Sequence, residues 1–147
     1  MIHLPPDFRD FLRLLGAHGV EYLLIGGYAV GYHGYPRATA DMDIWVPRER
    51  PNAERLVAAL REFGFAGAEV TPELFLDPNQ IVRMGVPPLR LEILSEISGV
   101  EFRPCYARRV AAEIDGVPVQ LISLEDLKLN KRASGRHKDL ADLDELA

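Results

Sequence analysis

Several scarcities in the sequence narrow its function early. It holds one cysteine, Cys105, so no internal disulfide can form, and that fits a reducing cytoplasm. No thiolate-stabilising motif surrounds Cys105, so it reads as a small semi-buried hydrophobe and not as a nucleophile. Its apolar runs are only a few residues long, which excludes a transmembrane helix. The opening MIHLPPDFRD has neither a basic n-region nor an apolar h-region, so no secretory signal is predicted. Positive charge is in deficit, with 17 Lys and Arg against 22 Asp and Glu, for a net charge of −5. A non-specific nucleic-acid binder needs a broad basic surface, and this chain has none to spare. The phosphate motifs G-x-x-x-x-G-K-[ST] and G-x-G-x-x-G are both missing.

What remains is 147 residues of ordinary globular composition, 48% hydrophobic and 27% charged, without repeats, linkers or low-complexity segments. A single α+β domain over 1–147 is expected. Asp7 follows two prolines as a candidate N-cap, and Phe8, Phe11, Leu12 and Leu15 recur at helical spacing up to Gly19. Residues 21–25 read as a strand, 27–33 as a short helix and 40–46 as a second strand stopped by Pro47. An amphipathic helix is predicted from Pro51 to Phe63, with Gly64 as its C-cap. The segment 65–79 is irregular. Short strands follow at 80–84 and 89–94, and Asp115-Gly116 signals a hairpin between 108–114 and 117–122. Ser123 and Asp126 make a variant capping box for a helix over 124–134, and a last helix occupies 137–146.

Chemistry concentrates in LLIGGYAVGYHGYPRATADMDIWV, residues 23–46. Side chains at i and i+2 of a strand share a face, so Asp41 and Asp43 stand side by side while Met42 and Ile44 enter the core. Adjacent carboxylates resist joint ionisation unless a positive charge lies between them. A hard cation such as Mg²⁺ suits them, because it prefers carboxylate oxygens and retains waters or phosphates. Gly26 and Gly27, at a strand-to-helix transition, leave backbone N–H groups free for a phosphate. A phosphate grip beside paired carboxylates is the equipment of phosphoryl or nucleotidyl transfer.

Gly-Gly, thirteen residues, then D-x-D across strand, helix and strand resembles the signature of the polymerase β-type nucleotidyltransferase superfamily. It is most similar to the small prokaryotic members, among them the minimal nucleotidyltransferases and the AbiEii-like proteins of toxin–antitoxin loci. The resemblance implies a mixed sheet of four to six strands, helices mainly on one face and a short helical C-terminus. It implies that Gly26 and Gly27 hold the triphosphate of an NTP and that Asp41 and Asp43 ligate two Mg²⁺ ions. PRATADMDI is similar to the family's R-x-S/T-x-D-x-D, which brings in Arg37 and Thr39. LISLEDLKLNKRASGRHKDLADLDEL is similar to the helical ending of the small members. The third carboxylate, usually an aspartate that binds the catalytic metal and accepts the nucleophile's proton, maps onto Glu92 in LRLEILSEI. The glutamate is a departure that adds one methylene of reach.

Plainer uses stand beside each residue. Glu92 pairs equally well with Arg90 or another surface cation, and Arg37 serves as well as a loop arginine. A lone His33 is more often packed or solvated than catalytic, and tyrosines 28, 32 and 35 suit packing more than base stacking. In the basic run 128–138, Lys131 shares a helix face with Lys128 and is the candidate to reach a triphosphate. The leading expectation is an Mg²⁺-dependent enzyme moving an NMP from an NTP to a hydroxyl of a partner protein, an RNA end or a small molecule. A chain of this size leaves the acceptor site to be completed by a partner protein or a second copy. The alternative is a weak or inactive module of the same fold that sequesters a partner. A D-x-D glycosyltransferase is disfavoured by chain length and by the Gly-Gly spacing.

Overall fold

The computed structural model describes residues 2–34, 39–78, 80–86 and 89–146. Six strands form one mixed sheet in the order β3-β4-β2-β1-β6-β5. They are β1 (Leu23–Ile25), β2 (Asp41–Trp45), β3 (Ile81–Val86), β4 (Leu89–Leu94), β5 (Val110–Ile114) and β6 (Val117–Leu121). Helices α1 (Pro6–Ala17), α2 (Gly26–His33), α3 (Arg50–Phe63), α4 (Phe102–Ala107), α5 (Leu124–Ser134) and α6 (His137–Leu146) complete the described elements, with a 3₁₀ turn at Pro72–Phe75. This is the mixed α+β architecture that the pattern implied.

Sheet register places the core. Leu24 lies opposite Ile44 and Leu121, Met42 opposite Leu91, and Ile44 opposite Ile93. These six side chains therefore share one face, and all are buried. Each fully buried Leu or Ile contributes about 1.5–3 kcal/mol. Phe8, Phe11, Leu12 and Leu15 of α1 join the same core at the helical spacing seen in the sequence. The other face carries Asp41, Asp43 and Trp45 in alternation, and Trp45 is sealed edge-on by Phe102 of α4 at 5.2 Å.

Local chemistry explains most element ends. Asp115 (φ 50°) and Gly116 (φ 80°) both adopt the left-handed conformation that a two-residue hairpin of type I′ requires. Ser123 Oγ accepts from Asp126 N at 3.2 Å, capping α5, and Gly135 ends that helix at φ 65°. Two expectations are corrected. Asp7 is not the N-cap of α1: Pro5 holds that position, and Pro6 starts the helix, where its missing N–H is no loss. β1 begins at Leu23 and not at Glu21, because the buried Asn52 side chain takes Glu21's backbone in place of a strand. Its Oδ1 accepts from Glu21 N at 2.7 Å and its Nδ2 donates to Glu21 O at 3.0 Å. Helix α4 is an addition, and its Pro104 lies in the first turn, where no intrahelical N–H is needed.

Candidate active site

Parallel pairing of β2 with β4 sets Asp43 directly opposite Glu92, and Asp41 opposite Arg90. Antiparallel pairing of β1 with β2 sets Asp43 opposite Ile25, the residue before Gly26. The three carboxylates and the N-terminus of α2 thus meet at one place. They line a cavity of about 1220 Å³, together with Thr39, Arg83, Lys131, Arg136 and Lys138.

Gly26 and Gly27 are approached closely, and the groups that approach them belong to β2 and its lead-in. A Cβ on Gly26 would land on Asp43 Oδ2 and lie 2.8 Å from its Cγ, while Gly26 itself sits at φ +68°. A Cβ on Gly27 would lie 2.6 Å from Thr39 Oγ1. Thr39 is fixed in turn by donating Oγ1–H to the Asp41 carbonyl at 3.3 Å. The glycines therefore let the carboxylate and hydroxyl settle onto the start of α2.

Electrostatics divides the three acids. Asp41 Oδ2 accepts from Arg90 Nη2 at 3.0 Å, and Glu92 Oε1 accepts from Arg83 Nε at 2.7 Å. Arg90, the cation named for Glu92, thus serves Asp41, and Glu92 takes another surface cation, Arg83. Asp43 has neither, and its Oδ1 is buried without a hydrogen-bond partner. Burial first, then the hydrogen bond with Glu92 and the charges of Glu92 and Asp41, push the Asp43 carboxyl up to about 7, with Lys138 opposing. Burial also acts to raise Glu92, but the hydrogen bonds from Arg83 and Asp43 outweigh it and hold that carboxyl below its ordinary value. Arg90 is raised, chiefly by its hydrogen bond to Asp41.

Among the described residues, no three His, Cys, Asp or Glu side chains stand ready-made as a metal-ligand group. The donor set nevertheless fits a hard divalent cation: three clustered carboxylates, all oxygen, with a buried orphan acceptor on the middle one. Such an ion would sit against Asp41 and Asp43, with Glu92 available once it leaves Arg83.

The remaining candidates fall in different places. Lys131 borders the cavity, but its side chain is 7% exposed and its ammonium lies 3.3 Å from Asp139 Oδ1 and 3.1 Å from Asp142 Oδ2. The cations of that stretch standing exposed on the cavity wall are Arg136, itself tied to Asp139, and Lys138. Arg37 and Tyr35 lie outside the described residues. His33 Nε2 is 2.8 Å from Ile122 O, Tyr28 is buried against Phe8, and Tyr32 is exposed. Cys105 is buried and free, and its thiol is pushed up to about 11 by burial and by Asp126. Sequence reasoning did not single out Arg83, nor Lys138 within the basic run 128–138. The alternation of β3 was the one available signal for Arg83, since strand neighbours at Ile81 and Arg83 share a face.

Solved structures carry the same fold. The antibiotic-resistance factor ANT(2'')-Ia aligns with a TM-score of 0.65 at 15% identity, over 95% of this chain and 80% of that one. A second structure of ANT(2'')-Ia, in complex with adenylyl-2''-tobramycin, aligns at 0.59 and 15% identity, over 95% and 84%. TM1012 of Thermotoga maritima, described as a nucleotidyltransferase, aligns at 0.60 and 15% identity, over 97% and 93%. No curated protein matches the chain. Residues 6–147 match the family described as nucleotidyl transferase of unknown function, DUF2204. Nearly the whole chain is covered, and it belongs to that nucleotidyl transferase family.

Proposed function

We propose that the protein is an Mg²⁺-dependent transferase that moves a nucleoside monophosphate from an NTP to a hydroxyl acceptor and releases pyrophosphate. One observation carries the reading most: the buried, unpartnered Asp43 Oδ1 between Asp41 and Glu92, beside the Gly26-Gly27 start of α2. Free N–H groups at that helix end favour the phosphate chain, with Thr39 adjoining. Lys138 and Arg136 flank the same cavity and neutralise phosphate charge, the role that the sequence alone suggests for Lys131. Arg37 is retained as a phosphate contact on the strength of the R-x-T-x-D-x-D resemblance.

Asp41 and Asp43 would hold the metal, with Glu92 completing its ligands. Bound divalent metal supplies charge neutralisation at the phosphates and lowers the pKa of the attacking hydroxyl. Glu92 accepts the hydroxyl proton as the acceptor oxygen bonds to the α-phosphorus and the bond to the pyrophosphate oxygen breaks. The complex of ANT(2'')-Ia with adenylyl-2''-tobramycin supports a hydroxyl acceptor, here a small molecule, an RNA end or a partner protein. A partner or second copy completing that site, and a place in a toxin–antitoxin pair, extend the same reading from the resemblance. Among the described residues no helix is long and apolar enough to cross a membrane, and a cytoplasmic setting is in keeping with the buried free thiol.

A sequestering module of the same fold is the second reading. The arginine pairs on Asp41 and Glu92 favour it, since they compensate the acids without any metal. Calorimetric titration of each NTP, with and without Mg²⁺, into wild type and the double variant Asp41→Asn, Asp43→Asn separates the two. An enzyme binds one or more NTPs only with metal and loses binding in the variant. Well-folded wild type that binds none refutes the stand-alone enzyme.

A further inference from the structure

Two of the three cavity carboxylates already hold a cation that is part of the chain. Both pairings are built into the sheet. Arg83 of β3 lies opposite Glu92 of β4, which lies opposite Asp43 of β2, so the three side chains stand in one cross-strand row. In a second row, Gly85, Arg90 and Asp41 align in the same way. The two guanidinium groups are held differently. Arg90 rises from an interior strand and is 33% exposed, whereas Arg83 rises from the edge strand, is 55% exposed and borders the cavity. A long side chain at a sheet edge can leave one anion for another nearby without backbone movement.

We infer that Arg83 is a tethered counter-ion for Glu92, displaced when a divalent metal binds, and that the freed guanidinium then binds the phosphate chain arriving with that metal. The inference rests on the nucleotidyl-transfer reading. A carboxylate oxygen engaged by a guanidinium at 2.7 Å is not free for a metal, and the two cations repel each other. Arg83 therefore opposes metal binding on its own. Once metal is present, the displaced charge is surplus until a polyanion enters, and a planar guanidinium matches phosphate in a bidentate manner. Metal and triphosphate are thereby made to bind together. A residue that merely oriented Glu92 toward the metal would act oppositely, because its loss would weaken the metal in every state.

The test titrates Mn²⁺ alone, followed by loss of the free-ion electron paramagnetic signal, and then inorganic triphosphate at saturating Mn²⁺. The proteins are wild type, Arg83→Gln, Arg83→Lys and the double variant Asp41→Asn, Asp43→Asn, with circular dichroism as the folding control. Arg83→Gln is expected to bind Mn²⁺ roughly three- to tenfold more tightly, and triphosphate with Mn²⁺ roughly three- to tenfold more weakly. Arg83→Lys keeps the charge and should restore wild-type Mn²⁺ affinity, with triphosphate affinity in between. Mn²⁺ affinity that is unchanged or reduced in Arg83→Gln overturns the inference. The transfer reading survives that result if wild type binds Mn²⁺ and the double aspartate variant does not. Tighter Mn²⁺ with unaltered triphosphate affinity overturns the hand-over to phosphate. Wild type that takes up neither ligand overturns both readings.

Discussion

Replacing Lys131 with methionine removes the ammonium of a side chain that is 7% exposed from between two aspartates whose side chains are 0% and 1% exposed. Two uses of that lysine make opposite forecasts. If it serves the nucleotide, its loss costs affinity and leaves stability alone or improves it, since a buried charge has gone. If it holds α5 to α6, its loss leaves buried acids under-compensated. Breaking a buried pair from one side costs about 3–5 kcal/mol. Asp139 keeps Arg136, whose Nε donates to Oδ2 at 2.8 Å, so the lower end of that range applies, about 3 kcal/mol. Burial acts to raise Asp139, but Arg136 and then Lys131 overcome it and hold the carboxyl below its ordinary value. In a chain of this length such a loss lowers Tm by roughly 10 °C. Urea unfolding at pH 7, followed by circular dichroism, reads the stability, and calorimetry on the folded variant reads nucleotide affinity. Adding Asp142→Asn to Lys131→Met should recover part of the loss, because one of the two acids no longer needs a counter-charge. A Lys131→Met variant as stable as wild type, yet tenfold weaker for nucleotide, would refute the structural assignment.

Gly26→Ala should lower stability by about 2 kcal/mol or more, because the residue sits at φ +68° and its new Cβ meets the Asp43 carboxylate; thermal unfolding measures it. In metal-free buffer, stability should fall as pH rises from about 4 to about 7. The folded Asp43 value lies above the unfolded one, so the native state holds the proton longer and this group's contribution is lost as pH passes about 7. The slope is of order 1.4 kcal/mol per pH unit at its steepest, is reduced by the opposite shift at Glu92, and should flatten in Asp43→Asn; melts with EDTA across that range read it. Asn52→Ala strips both hydrogen bonds from Glu21's backbone and should cost about 2 kcal/mol in urea unfolding, with metal affinity unchanged.

Local signals carried far. The Asp115-Gly116 turn, the Ser123 cap and the Gly135 stop act within a few residues, and each element that they bound lies close to where its residues imply. Strand alternation likewise sets Asp41 and Asp43 on one face, and Arg90 with Glu92 on another strand's matching face. What stayed illegible depends on neighbours distant in the chain. Lys131 meets Asp142 only because α6 folds back on α5, and Arg83 meets Glu92 only through the pairing of β3 with β4. Helix α4 escaped notice because FRPCYA is too short to show a period and carries a proline inside it. Glu21 reads as strand because nothing near it announces that Asn52, on helix α3, satisfies its backbone.

The contact between Gly26 and Asp43 bears on how related chains should vary. The two positions form a single steric unit, since the space a Cβ would need at 26 is filled by the acid at 43. Side chains at 26 are expected only in chains where 43 has shrunk, and the residue entering should be asparagine, which tolerates a left-handed backbone. A descendant that lost its acid would release the glycine to drift. Persistence of glycine in such a descendant would mark a second constraint there, the phosphate itself.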